Sequence, residues 1–434
     1  MWENVRKIFT GEEKIEITDE YRQILADFES GTNIFITGKA GSGKSKLIEY
    51  IRNSTKKKVA VLAPTGLAAL NIKGQTIHSF FKLPPRVLTS ETVARLRSNE
   101  EVFEQLEAII IDEVSMVRAD VMDAIDRILK RYGRDRHLPF GGVQVVLVGD
   151  VFQLPPVVAN EEKEVFEMHY ELPYFFGSAA FINGDFEVRV LSRIFRQAEE
   201  KFIEALNRIR NGDVEIGHVE LINSRVGKRA DNDKSVLLAA TNALVNQINA
   251  TELSKIASEE KLYVASVEGE FNHEERSLPV EKELKLKKGA RVVILKNGPG
   301  WVNGSMGVVS KLTDESVTVR LDENGNEIEL GTEEWDNIAY RINRDTNEIE
   351  ETKLGSIRQL PIRLAWAVTI HKSQGMSFDR VYIDLTSSPF AFGQTYVALS
   401  RCRKLEGLTL SRKLFPKDIL VDPRVIDFAS RFSK

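Results

Sequence analysis

The chain has 434 residues, enough for about three domains and for a core that needs no disulfide or metal staple. Its 60 basic and 64 acidic residues leave a net charge of −4, which excludes a histone-like basic coat but not a local basic groove. The 42% hydrophobic and 29% charged content reads as globular. No apolar run approaches the ~18 residues of a membrane span, and Cys402, the sole cysteine, excludes an internal disulfide. A reducing cytoplasm, no secretion signal and no membrane partner are the expectations.

From the N-terminus, the first apolar, β-branched run is 33–37, followed by Gly38-Lys39-Ala40-Gly41-Ser42-Gly43-Lys44-Ser45 and the helical 46–50. A strand, then G-x-x-x-x-G-K-[ST], then a helix is the setting of a phosphate-binding loop. Glycines let backbone N–H groups wrap anionic oxygens, and the helix N-terminus adds positive potential. Gly38, Ala40, Gly41, Ser42, Gly43, Lys44 and Ser45 are therefore expected to bind ATP, with Lys44 on the β- and γ-phosphates and Ser45 on Mg²⁺. Further continuous apolar runs follow at 59–63, 108–112 and 143–148, as expected for parallel strands buried on both faces. The third run of the four delivers Asp112 and Glu113 at its end: Asp112 as the acidic Mg²⁺ site, Glu113 as the base that orients water. Val117, Val121, Ile125 and Leu129 form a helical stripe, with Arg118, Asp120, Arg127 and Lys130 assigned to the surface. The fourth run leads into Gly149-Asp150-Val151-Phe152-Gln153-Leu154-Pro155-Pro156, where the neutral amide of Gln153 can sense a γ-phosphate.

This alternation predicts an α/β domain over about 1–185. A second set of runs, 235–239, 362–366 and 380–384, predicts a second α/β domain. Between them, 255–358 holds short strand-like segments and turns such as Asn297-Gly298-Pro299-Gly300, read as an inserted small antiparallel β barrel.

The order of motifs adds a family likeness. Ala63-Pro64-Thr65-Gly66, Thr76-Ile77-His78-Ser79-Phe80, Asp112-Glu113-Val114-Ser115-Met116 and the Gln153 loop are followed by Phe195-Arg196-Gln197, Ala240-Thr241-Asn242, Thr369-Ile370-His371-Lys372-Ser373-Gln374-Gly375 and Ser400-Arg401. This series resembles superfamily-one DNA helicases of the RecD-like branch, most closely the petite integration frequency (PIF) family. The likeness spans about 17–410, and the stretch from Glu113 through Tyr132 is similar to that family's signature helix.

The resemblance implies two RecA-like P-loop motor domains with parallel sheets: 1–185, with a small wedge insertion at about 66–84, and 186–254 joined by 359–434. Residues 255–358 would be an SH3-like barrel. It implies ATP with Mg²⁺ hydrolysed between the motors, 5′→3′ movement on single-stranded DNA, and unwinding of duplex or G-quadruplex junctions by a monomer in a bacterial or phage cytoplasm, at the nucleoid. Arg196 and Arg401 would neutralise the γ-phosphate across the cleft, and Gly375 would let backbone approach the nucleotide. Adenine would be met by Tyr21 or Gln23. Thr65, His78, Thr241, Asn242, Thr369, His371 and Lys372 are the DNA-backbone candidates by motif position, with Phe80 and Pro156 stacking on bases. Two other classes stay in view: a small-molecule kinase on the same loop, disfavoured by the second motor-like half, and an ATP-switched DNA-binding protein that does not separate strands.

Overall fold

A computed structural model describes residues 17–39, 41–96, 100–193, 200–227, 234–271, 278, 280–301, 303–343, 348–386 and 391–432. The first half opens with helix α1 (Asp19–Glu29), capped by the Thr18 side chain, then strand β1 (Ile34–Gly38), helix α2 (Lys44–Ser54), β2 (Val59–Ala63), β3 (Gln75–Thr76) and β4 (Ala108–Ile111). Helix α3 (Ala119–Tyr132), β5 (Gln144–Gly149) and β6 (Glu187–Leu191) complete it. The sheet order is β3-β2-β4-β5-β1-β6, and its strands pair in parallel. Strands β1, β4 and β5 are buried along their whole length. Their apolar runs are unbroken because both faces are covered.

The second half opens with helix α4 (Glu200–Asn211), β7 (Val236–Ala239) and helix α5 (Asn242–Ser254), and resumes at Ala367. Between α5 and Ala367 lie β8 (Glu260–Val264), β9 (Ser266–Gly269), β10 (Glu283–Lys287), β11 (Arg291–Ile294), β12 (Met306–Leu312), β13 (Ser316–Leu321), β14 (Glu327–Gly331), β15 (Glu333–Asn343), β16 (Glu348–Gln359) and β17 (Ile362–Leu364). Here the pairings are antiparallel: β14-β13-β12-β11-β17 make one sheet, β15-β16-β9 another, and β10 pairs with β8. The chain then forms β18 (Ala367–Thr369), β19 (Val381–Ile383), helix α6 (Gln394–Leu399), β20 (Leu408–Leu410) and helix α7 (Pro423–Ser430). The second parallel sheet runs β18-β7-β19-β20.

Four sequence expectations shift. The first sheet gains β6, beyond the expected boundary at 185, because its backbone pairs along β1 from Ile34↔Glu187 to Gly38↔Leu191. Helix α7 packs into the first half rather than the second: Phe428 stacks on Phe176 at 4.1 Å and lies 6.0 Å from Phe35. The run 362–366 does not enter the second parallel sheet. Ile362–Leu364 pairs antiparallel with β11, and the parallel strand begins at Ala367. Finally, Asp120 is not on the surface. It is fully buried with Asp123 and Asp126 close to it in exposure, and each carboxylate accepts a backbone N–H, from Leu88, Ala180 and Phe140 respectively.

The antiparallel hairpin β15–β16 reaches back to the first half. Tyr340 is buried there, its ring edge-on to Phe80 at 5.5 Å and its hydroxyl accepting from the Val61 N–H at 3.0 Å.

Candidate nucleotide cleft and DNA-facing edge

The sheet order determines the site. Loops leaving the C-terminal ends of β4, β5 and β1 emerge side by side, where open parallel sheets bind ligands. After β1, Gly43 caps α2 with φ +85°, a left-handed geometry that glycine adopts without strain. Tyr21 donates its hydroxyl to the Gly43 carbonyl at 2.8 Å. Lys44 Nζ donates to the carbonyls of Gly38 (2.8 Å) and Lys39 (3.1 Å). Burial pushes the Lys44 ammonium below its ordinary value, against the pull of Asp150, Glu113 and Asp112. Ser42 Oγ is buried with no hydrogen-bond partner, and Ser45 stands exposed one residue past Lys44.

Asp112 leaves β4 with its N–H on the Leu62 carbonyl and its carboxylate accepting the Glu113 N–H at 2.8 Å. Burial and the neighbouring Glu113 charge push it up to about 7. Glu113 sits at φ +48°, a conformation costly for a side-chain-bearing residue and typical of strained functional positions. Its Oε2 is buried without a hydrogen-bond partner. Burial raises its pKa against the opposing charges of Lys44 and Arg401. Gln153 is buried, its N–H on the Asp150 carbonyl.

From the second half, Arg401 is 2% exposed. Its guanidinium donates to the carbonyls of Val397 (3.0 Å), Ser373 and Met376 (both 3.1 Å). The chain between Ser373 and Met376 contains Gln374, whose buried Nε2 has no hydrogen-bond partner, and Gly375, exposed at φ +76°. Buried orphan donors and acceptors are expensive unless a ligand completes them. Ser42, Glu113 and Gln374 thus point to a polyanionic nucleotide and its cation. The oxygens of Asp112 and Ser45 are the hard donors that Mg²⁺ takes.

The family model for PIF1-like helicases matches residues 14–219. The ATP-dependent DNA helicase Pif1 of Bdellovibrio bacteriovorus is 33% identical over 434 aligned residues, covering 96% of this chain and 93% of that protein. The chain belongs to the PIF1-like helicase family. Membership makes it an ATP-hydrolysing enzyme. It spans 61–66% of the longer Emericella nidulans, Psychrobacter and mouse relatives. The crystal structure of Bacteroides Pif1 with ADP-AlF4 superposes with a TM-score of 0.89 at 38% identity, covering 96% of this chain and 97% of that one. The same helicase bound to single-stranded DNA gives 0.70 at the same identity and coverage.

The threonines of the motifs expected to meet DNA lie at strand ends. Thr65 follows β2 and Thr76 ends β3, its neighbour. Thr241 follows β7, and Thr369 ends β18 beside it. All four hydroxyls have local duties: Thr65 accepts from Ala68 N–H, Thr76 from Ser79 N–H and Thr241 from Leu244 N–H as helix caps, and Thr369 accepts from Lys372 N–H. Asn242 is exposed, and His78, His371 and Lys372 are half-buried. Burial lowers the pKa of all three of these half-buried groups, with Arg118 adding to the effect on His78 and Arg363 on Lys372.

Several expected roles do not fit. Phe80 is 6% exposed and packs on Phe81, Phe103 and Tyr340, so its ring belongs to the core rather than to DNA bases. Pro156 is buried as well. Tyr21 is 1% exposed beside Tyr50, leaving no face for adenine, and Gln23 points to solvent with its amide on Asp27 at 3.0 Å. Ala40 and Arg196 lie outside the described residues. Sequence reasoning missed Arg210, which reaches Asp150 from α4 at 2.7 Å. Next to inward-facing Ile209 on an amphipathic helix, it carries no local signal.

Proposed function

We propose that this chain is an ATP-dependent DNA helicase that moves 5′→3′ on single-stranded DNA and opens duplex or G-quadruplex junctions by hydrolysing ATP between two RecA-like motor halves. The observation that carries this reading is that Glu113, at the end of a first-half strand, holds a buried Oε2 with no hydrogen-bond partner between the charges of Lys44 from its own half and Arg401 from the other. A base for water, a phosphate-binding lysine and an arginine from the facing half are the parts hydrolysis needs. Glu113 takes the proton from water, Lys44 holds the β- and γ-phosphates, Gln153 senses the γ-phosphate, and Arg401 exchanges its carbonyl partners for developing phosphate charge. Asp112 and Ser45 would hold Mg²⁺, which neutralises the β- and γ-oxygens when bound.

Thr65, His78, Thr241, Asn242, Thr369, His371 and Lys372 are read as the phosphate track, the stretch 66–84 with its two short helices, Gly66–Asn71 and Ile77–Phe80, as the wedge, and the β11–β14 sheet with its neighbours as the SH3-like barrel. Polarity rests on the family likeness alone. The test is unwinding of partial duplexes carrying a 5′ or a 3′ single-stranded tail, with ATP and Mg²⁺. Strand separation confined to the 5′-tailed substrate is expected. Separation from the 3′ tail reverses the polarity, and DNA-stimulated ATP hydrolysis with neither duplex opened replaces the helicase with a DNA-dependent switch.

A further inference from the structure

The loop that presents Gln153 leaves a first-half strand and keeps Val151 and Phe152 in the first half's core, yet Asp150 before them and Leu154 after them are held by the second half. Asp150, the first residue after β5, is fully buried. Three donor atoms from two second-half helices meet its carboxylate. Arg210 on α4 gives Nη2 to Oδ1 at 2.7 Å and Nε to the two oxygens at 3.1 and 3.2 Å. Tyr396 on α6 gives its hydroxyl to Oδ2 at 3.3 Å. The same guanidinium lies 4.1 Å over the ring of Phe152, a cation–π contact that also fixes its plane. Burial alone would raise the Asp150 carboxyl, but Arg210, with Lys44 behind it, outweighs burial and keeps it below its ordinary value. Leu154, next after Gln153, is buried in the second half's core with Phe202, Val236 and Tyr396. Gly393, which caps α6, lies so close that a Cβ there would come within 2.5 Å of the Phe152 carbonyl and 2.7 Å of the Gln153 carbonyl.

We infer that Asp150, Arg210 and Tyr396 form a clasp that fastens the Gln153 loop to the second motor half, so that Gln153 and Arg401 move as one body when the cleft closes. This rests on the reading of the cleft as the ATP site and adds a mechanical link to it. Helix α6 carries Tyr396 and runs straight into Arg401. A γ-phosphate that draws Gln153 would therefore draw the helix that supplies the arginine. Arg210 acts as a positioning residue, through Asp150, rather than as a ligand of the nucleotide. Lysine cannot replace it, because the paired contacts and the stacking need a planar fork.

The test uses the full chain with Arg210→Lys, Tyr396→Phe, and Asp150→Asn and Arg210→Gln singly and together. Affinity for a fluorescent non-hydrolysable ATP analogue, DNA-stimulated kcat and KM, base pairs opened per ATP and thermal unfolding are measured. Arg210→Lys should hold nucleotide within about twofold of the parent. Its DNA-stimulated kcat should fall roughly 10- to 100-fold, the scale of a sub-ångström to 1 Å misplacement of a reacting group. It should also open fewer base pairs per ATP. Tyr396→Phe should shift the same quantities less, and the double variant should be no worse than the worse single one. Unchanged kcat and coupling in a folded Arg210→Lys protein overturn the clasp. Nucleotide affinity that falls in step with kcat overturns it too, and makes Arg210 a nucleotide ligand. Should the Arg210 variants fold poorly, Tyr396→Phe decides alone: wild-type kcat and coupling sink the idea. Lys44→Ala is run in parallel. If it still hydrolyses ATP, the cleft reading fails; if it is inactive while Arg210→Lys is normal, only the clasp falls.

Discussion

Glu113 concentrates the energetic conflict at the scale of single residues. Its backbone is left-handed, its carboxylate is buried, and one oxygen has no hydrogen-bond partner. Such a residue costs stability and is retained for what it does. Glu113→Gln removes a buried charge while keeping its shape, so the folded protein should be as stable as the parent or more so, by about 1 kcal/mol. The amide cannot accept a proton, and turnover should fall about 10²- to 10⁴-fold with ATP affinity retained. Thermal unfolding, nucleotide titration and steady-state hydrolysis check this together; an equal loss of affinity and turnover would make Glu113 a ligand. The positions legible in sequence are those whose chemistry follows from a strand end: Lys44, Asp112, Glu113 and Gln153 emerge from adjacent strands because continuous apolar runs dictate a parallel sheet. Tyr21, Phe80 and Pro156 were not legible, since whether an aromatic or proline faces a ligand or the core depends on packing from distant segments. For Phe80 that segment is the hairpin bearing Tyr340, 260 residues away in sequence. Arg210 shows the converse: its partner Asp150 lies on another half of the molecule, and no periodicity encodes that.

Whole elements were readable where both faces are covered and misread where the chain changes sheets. The run from Ile362 to Thr369 is apolar but for Arg363 and Thr369, yet it serves an antiparallel and then a parallel sheet, with a break at Ala365 and Trp366. Strand β6, at the sheet edge, is exposed or half-buried everywhere but Leu191 and lacks the continuous signal of its neighbours. Helix α7 gives no hint that it docks on the first half. Its anchor is polar as well as aromatic: Tyr174 donates to Asp422 at 2.6 Å, and Arg424 pairs with the same carboxylate at 2.6 Å. Burial would raise the Asp422 carboxyl, but the Arg424 and Tyr174 donors outweigh it and hold it below its ordinary value. Asp422→Asn should therefore cost about 1.5–3 kcal/mol at neutral pH, the range for a hydrogen bond to a charged group. A carboxyl depressed in the folded state stabilises above its unfolded pKa, about 3.9, and loses that contribution as pH falls through the folded value. The stabilities of parent and variant, measured by urea unfolding, should thus differ near pH 7 and converge below about pH 4. A gap that persists in acid would assign the effect to shape rather than charge.

On the scale of the whole molecule, the two motor halves are joined by the Asp150 contacts, by helix α7 and by the Tyr340 hairpin tip. Thr65 and Thr369 lie on different halves, so a phosphate track that includes both must change when the halves move. A chain of net charge −4 cannot hold DNA by a general basic surface; its grip has to be a narrow track. Each phosphate neutralised on a single strand contributes about −0.7 to the slope of log affinity against log salt, so roughly four to seven contacts give about −3 to −5. Contacts to backbone oxygens make that affinity nearly independent of base sequence. A nucleotide that draws the halves together must shift it, and by linkage DNA must shift nucleotide affinity by the same factor. Fluorescence anisotropy of a short single-stranded oligonucleotide, titrated over salt with and without a non-hydrolysable ATP analogue, reads all three quantities. A salt-independent affinity, or one confined to a single base sequence, contradicts a backbone track. A salt-dependent affinity that ignores the nucleotide means that the halves do not transmit cleft closure to the DNA, and the motor reading then gives way to an ATPase whose two activities are uncoupled.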